Sequence, residues 1–303
     1  MGKERIGILG PGAVGGLLAA RLAQRGHDVT VIGTEPTVAA IVAGGLRLHH
    51  PGQPAGQDVP AVWPDARCWL TDAVDILFIA VKAPDLLTAL LRVPAERLAG
   101  VVLVPLLNGI DHVPLLRSRY PAARVLAATI GVEAARRGPG VIQQLSVVAE
   151  VEVAEDPAEP DAAGRVADLL SAGGFIVRTL NGENQVLWRK LAVLAPFALL
   201  TASTGAPLGE ALTRRPEQLV PLCEEAAAAA RACGADVLAA PAEGRVRSLP
   251  PHAQSSLLRD LLSGRALELD AIAGPVVRAL SASRAPATVL AMAEILDHVR
   301  GGR

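Results

Sequence analysis

Aromatic side chains are scarce in this chain, 2% of its 303 residues, and lysine is nearly absent: Lys3, Lys82 and Lys190 are three of 29 basic residues. Few aromatics leave little to stack on nucleic-acid bases, and a formal net charge of −1 with a pI near 6.6 gives no basic field for a phosphate backbone. No nucleic-acid partner is expected. Cysteine is sparse too. Cys68, Cys223 and Cys233 are odd in number and lack metal-ligand spacing, which argues against a zinc site or a disulfide framework and fits a reducing cytoplasm; Cys223 and Cys233 fall in a helical region and read as buried thiols. The longest uncharged run, Leu191 to Gly209, is broken by Pro196, Thr201, Ser203, Thr204 and Gly205. It reads as a buried helix and not a membrane span, and no secretory signal is expected ahead of the first strand.

The scarcity of lysine is itself informative. Where arginine is the default cation, a retained lysine marks a place that needs a compact ammonium able to lose its proton. Lys82 and Lys190 are the two candidates, with chance retention the competing reading; Lys3, at the terminus, carries no such signal.

What is abundant at the start of the chain is glycine in a particular order. Arg5-Ile6-Gly7-Ile8-Leu9 reads as a short apolar strand, and Gly10, Pro11, Gly12, Ala13, Val14 and Gly15 follow in Gly-x-Gly-x-x-Gly spacing before a helix-prone stretch ending near Arg25. The first glycine permits the tight turn, the second lets a pyrophosphate touch bare backbone, and the third lets helix and strand pack closely. A glycine-rich strand-to-helix turn without a ligand is the alternative for the motif alone. His27 to Ile32 supplies a second strand, which closes a βαβ unit within about 30 residues and favours a dinucleotide. An acid at the end of that strand would take the ribose hydroxyls of NAD and an arginine would take the phosphate of NADP. Thr34 and Glu35 stand there and leave both open.

Asp75 to Val81 is a continuous apolar run, as a strand covered on both faces should be, and Lys82 stands at its carboxyl end, where ligands of open parallel sheets bind. Val101 to Val104 repeats the pattern and leads to Asn108-Gly109, which is either a polar site group or an ordinary turn pair. Arg124 to Ile130 and Val141 to Val153 read as extended, Asp161 to Ser171 as an amphipathic helix, and Phe175 to Leu180 as a closing strand. From Glu183 onward the periodicity is helical. The expected architecture is an α/β Rossmann-like dinucleotide-binding domain over 1–180 and an all-α domain over 181–303. Lys190, followed by an apolar helix face, would be partly desolvated and its pKa lowered toward a useful acid. Ser256 and Glu268, twelve residues apart in the stretch Ser255 to Leu280, could face one groove, with Gly264 a candidate interruption.

These residues together resemble the ketopantoate reductase (2-dehydropantoate 2-reductase) family. The match runs in order through Gly10 to Gly15, Val81-Lys82-Ala83, Asn108-Gly109, Gly138-Pro139-Gly140, Trp188-Arg189-Lys190-Leu191, Cys223-Glu224-Glu225, and Ser255-Ser256 to Glu268 and Asp270. The resemblance implies NADPH-dependent reduction of a 2-keto acid, ketopantoate to pantoate in pantothenate biosynthesis, in a cleft between the two domains, and by family habit a homodimer. It implies that Lys190 is the proton donor, that Lys82, Asn108 and Glu268 contact cofactor or substrate, and that Ser256 contacts substrate. Glu268 is thereby a second catalytic candidate.

The chain also departs from the family pattern. Asparagines four and eight residues after the lysine are replaced by Leu194 and Ala198, two further amides by Leu208 and Ala253, and the arginine after the second strand by Thr34. The expectation is therefore a small-molecule substrate that is ketopantoate or a less polar 2-keto acid, with NADP as cofactor and NAD not excluded. A non-catalytic NADP-binding or regulatory protein on the same fold is the alternative.

Overall fold

In the computed structural model, which describes residues 4–53, 57–156 and 160–301, the chain divides into two units. One runs to Leu107 and resumes from His112 to Glu183; the other comprises Asn108–Asp111 and the chain from Asn184 onward. The division therefore falls after Glu183, not after residue 180, and a four-residue piece of the N-terminal half belongs with the helices. Lys3 lies outside the described residues.

In chain order the first unit contains β1 (Arg5–Leu9), α1 (Ala13–Gln24), β2 (Asp28–Ile32), α2 (Glu35–Gly44), β3 (Leu46–His49), β4 (Ala61–Val62), β5 (Asp65–Arg67), β6 (Ile76–Ile79), α3 (Leu86–Leu90) and β7 (Val102–Pro105). It continues with α4 (His112–Arg119), β8 (Arg124–Val125), β9 (Ala128–Gly131), β10 (Ala134–Gly138), β11 (Val141–Gln144), β12 (Glu150–Glu155), α5 (Pro160–Ala172) and β13 (Ile176–Asn181). The central sheet is parallel throughout, in the order β5-β2-β1-β6-β7-β8. Its side chains alternate between two cores: Ile6, Ile8, Ile76, Phe78, Val102 and Val104 pack on one face, and Leu9, Leu77, Ile79 and Leu103 on the other. Both faces are covered, which is why these strands are apolar without a break. The chain leaves β1 toward β2 on one side and later returns to β6 on the other, so the topological switch point of the sheet lies at the carboxyl end of β1. The glycine motif begins there.

Two stretches that read as extended are each divided between sheets. Residues 124–130 give β8 to the central sheet and β9 to a three-stranded sheet with β12 and β13; residues 141–153 give β11 to a four-stranded sheet and β12 to the three-stranded one. In the second case the Gln144 amide donates to the Ser146 carbonyl and the Ser146 hydroxyl to that of Val148, 2.6 and 2.7 Å, which turns the chain between the strands. Period-2 apolarity is the same whichever sheet a strand joins.

The second unit contains α6 (Glu183–Thr204), α7 (Leu208–Arg214), α8 (Leu219–Ala232), α9 (Ala239–Arg247), α10 (Ser256–Leu262), α11 (Leu269–Leu280) and α12 (Pro286–Gly301). Trp188, Leu191, Ala195 and Leu199 of α6 form its core with the alanines of α8 and with Ile272 and Val276 of α11. Among the described residues α6 alone is long and apolar enough to cross a membrane by length and composition, and 72% of its apolar window is buried. The Glu225 carboxylate on α8 accepts from the Ala287 and Thr288 amides at 2.7 and 2.8 Å and from the Thr288 hydroxyl at 2.7 Å. It satisfies free donors at the start of α12 that no nearby side chain caps.

Residues 255–280 are not one helix. Gly264 takes φ +61° after α10, and Arg265 donates back to the Asp260 carbonyl at 2.9 Å, a glycine-terminated helix end. Ser256 therefore opens α10 while Glu268 is the N-cap position of α11, so Gly264 is the interruption and the two residues do not lie on one continuous helix.

Candidate active site

The turn after β1 is shaped by steric need at two of its glycines and by openness at the third. Gly10 has φ +88°, and a Cβ there would overlap the Val81 side chain; a Cβ on Gly15 would overlap the Gly10 carbonyl and lie 3.1 Å from the Ala80 side chain. Gly12 differs, since a Cβ on it would meet nothing closer than the Gly10 carbonyl at 4.0 Å. Pro11 is buried, 3.2 Å from where a Cβ on Gly33 would stand, so the floor of the turn rests on the end of β2. Ala13 and Val14 open α1, whose N-cap Gly12 brings no capping side chain. Bare backbone with open space at a helix N-terminus fits the pyrophosphate of a dinucleotide.

Two further residues of the first unit lie at strand ends. Thr34 is exposed at the start of α2, its hydroxyl 3.1 Å from that of Thr37. Lys82 is half-buried just past β6 and caps a short 3₁₀ turn, Ala83–Asp85, with its backbone.

The second unit holds a hydrogen-bonded chain of three side chains. The Lys190 ammonium donates to the Asn108 carbonyl oxygen at 3.0 Å, and the Asn108 amide nitrogen donates to the Glu268 carboxylate at 3.1 Å. The two ends of the amide are distinguished by their partners, a cation on one side and an anion on the other. Lys190 stands eight residues into α6, Glu268 is buried at the start of α11, and Asn108 belongs to the short segment that joins this unit. Burial lowers the Lys190 pKa from the ordinary lysine value to about 8, against a pull upward from the negative charge of Glu268. An ammonium of that acidity is mostly protonated at neutral pH yet gives up its proton far more readily than a solvated lysine.

Asn108, Lys190 and Glu268 are thus brought together. Ser256 is half-buried at the first turn of α10 and is not a member of that chain. The neighbouring Ser255 caps α10 instead, its hydroxyl accepting from the Leu258 amide at 3.0 Å and lying 2.8 Å from the Thr201 hydroxyl. Along α6 from Lys190, Leu194 is half-buried and Ala198 fully buried. Burial pushes the Cys223 thiol up to about 12, so it is no nucleophile at neutral pH. Among the described residues no group of three metal-ligating side chains occurs.

Motif spacing does not single out Arg278, whose guanidinium reaches both Asp111 and Asp270. One arginine among so many gives no signal by type. The i, i+4, i+8 spacing of Asp270, Gly274 and Arg278 on one helix face is the only hint the sequence offers.

Residues 6–157 match the family model described as ketopantoate reductase PanE/ApbA, and residues 184–300 match the model of the C-terminal part of the same family. The 2-dehydropantoate 2-reductase of Caulobacter vibrioides is 30% identical over 287 residues, 90% of this chain and 91% of that protein. The crystal structure of a PanE/ApbA family ketopantoate reductase from Ralstonia eutropha JMP134 superposes with a TM-score of 0.86 at 27% identity, covering 98% of this chain and 99% of that one. D-mandelate dehydrogenase, solved with NADH and anilino(oxo)acetate, shares the fold at a TM-score of 0.86 and 22% identity over 98% of this chain and 99% of that one.

Proposed function

The chain belongs to the ketopantoate reductase PanE/ApbA family, and from that premise we propose that it reduces a 2-keto acid with NADPH, with Lys190 as the proton donor. The observation that carries this reading is the Lys190–Asn108–Glu268 chain, in which a half-buried ammonium of lowered pKa is held by an amide that a buried carboxylate orients. The turn from Gly10 to Gly15 holds the dinucleotide phosphates. Lys82 and Thr34 would contact the nucleotide, and Asn108 and Glu268 would bind cofactor or substrate polar groups.

Bound reduced nicotinamide supplies hydride to the carbonyl carbon. As charge develops on the carbonyl oxygen, Lys190 delivers its proton there and becomes a neutral amine, then regains a proton from solvent. The ammonium stabilises the forming alkoxide before the transfer, a preorganised charge where the reaction needs it. Asn108 keeps that ammonium pointed, and Glu268 raises the fraction that is protonated at working pH.

The half-buried Leu194 and Ala253 side chains supply no hydrogen bonds to a substrate hydroxyl, and Ala198 and Leu208 are packed into the core of the second unit, so we propose a 2-keto acid with an apolar side chain ahead of ketopantoate itself. A pocket that hydrogen-bonds a hydroxyl discriminates by orders of magnitude, and an apolar one only by about 10–200-fold per methylene. NADPH oxidation measured against ketopantoate and a series of alkyl and aryl 2-keto acids tests the assignment. Turnover that rises with apolar side chains is expected. Tight NADPH binding with no turnover of any member would instead favour a cofactor-binding protein without reductase activity. A homodimer and a cytoplasmic location complete the proposal, the first open to sedimentation and the second consistent with three free cysteines.

A further inference from the structure

We propose that Arg278 is a positioning residue: its guanidinium, laid across Gly274, ties the segment Asn108–Asp111 to α11 and so holds the Asn108 amide between Lys190 and Glu268. The inference rests on the reading of Lys190 as proton donor, and three observations carry it. Arg278 Nη2 binds Asp111 Oδ2 at 2.5 Å while Nη1 binds Asp270 Oδ1 at 2.9 Å, so one planar group joins the segment bearing Asn108 to the first turn of the helix that Glu268 begins. Gly109, next to Asn108, has φ +86°, and a Cβ on it would overlap the Ala271 carbonyl, so the backbone of the segment is pressed on α11 at the same place. Gly274 lies one turn from each partner, and a Cβ there would strike both the Asp270 carboxylate and the Arg278 guanidinium.

A solvating ion pair would need neither a bare helix surface beneath it nor a carboxylate from another segment. The three charged groups are well exposed, and pairs of that kind add little to global stability. What they fix is register. Asn108 sits at the end of a short segment with its backbone anchored at Gly109, and it must reach two partners from α6 and α11 with one planar amide. Loss of the strap frees that segment without unfolding either helix.

The test uses full-length protein labelled at lysine Cε, in which the few lysines give resolvable NMR signals and Lys190 is assigned with Lys190→Arg. Arg278→Met removes the strap. Gly274→Ala keeps every charge and raises helix propensity while pushing the guanidinium aside. Both are expected to move the Lys190 titration midpoint in the direction that Asn108→Ala moves it, and to lower kcat about fivefold, the weight of an exposed ion pair. In an Asn108→Ala background neither should change the midpoint or kcat further, because the strap acts only through that amide. A wild-type midpoint in both single variants, or effects that add in full to those of Asn108→Ala, would overturn the proposal. If the unmodified protein reduces no 2-keto acid, the reading of Lys190 as donor fails, and the NMR midpoints still decide the strap.

Discussion

The glycine turn and the Lys190 cluster differ in what they are made of and in how far along the chain they reach. The turn takes six consecutive residues, presents bare backbone, and owes its shape to close approaches at Gly10 and Gly15 that a Cβ would block. The cluster works through side chains that stand 82 and 160 residues apart along the chain and meet only when the helices of the second unit pack. A backbone site is specified locally and can be damaged only by adding atoms. A side-chain site is specified by tertiary structure and is damaged by removing atoms or by loosening what positions them.

Substitutions can break this contrast from either side. The largest effect is expected from Lys190→Ala, which should lower kcat/KM for 2-keto acid reduction by about 10² or more while dinucleotide affinity, measured by fluorescence quenching, stays at the wild-type level. Gly15→Ala should do the reverse. Its Cβ meets the Gly10 carbonyl, which cannot rotate away, so dinucleotide Kd should rise about tenfold, an overpacking cost near 1–3 kcal/mol, with the Lys190 titration unmoved. Glu225→Ala touches neither site; loss of three hydrogen bonds to the start of α12 should cost about 2–3 kcal/mol in urea unfolding, showing how much long-range support the second unit needs. The smallest change, Thr34→Arg, should raise the preference for NADPH over NADH about threefold through contact with the ribose phosphate. An unchanged cofactor ratio would take Thr34 out of the nucleotide site.

The same contrast explains what can be read from residues alone. Gly10, Gly12 and Gly15 are legible because spacing, strand and helix all lie within one short window. Lys190 is legible because of its rarity. Asn108 and Glu268 become candidates through family resemblance, but their hydrogen bonds with Lys190 and with each other appear only in the structure, since no periodicity links residues so distant, and the break at Gly264 that separates Ser256 from Glu268 depends on a helix ending that propensity alone leaves undecided. The divided strands at 124–130 and 141–153 are illegible for a similar reason: a strand that changes sheets keeps its alternation. Arg278 carries no sign in its type and becomes visible only through what it touches.

The central claim is that Lys190 is the acid, and kcat/KM for keto acid reduction as a function of pH tests it most directly. The donor is the ammonium, which burial makes more acidic, to about 8; activity is therefore expected to be level below that pH and to fall tenfold per unit above it. Glu268 raises that pKa, so Glu268→Gln should move the falling limb to lower pH. A profile that stays level to pH 10 in the unmodified protein would contradict the account.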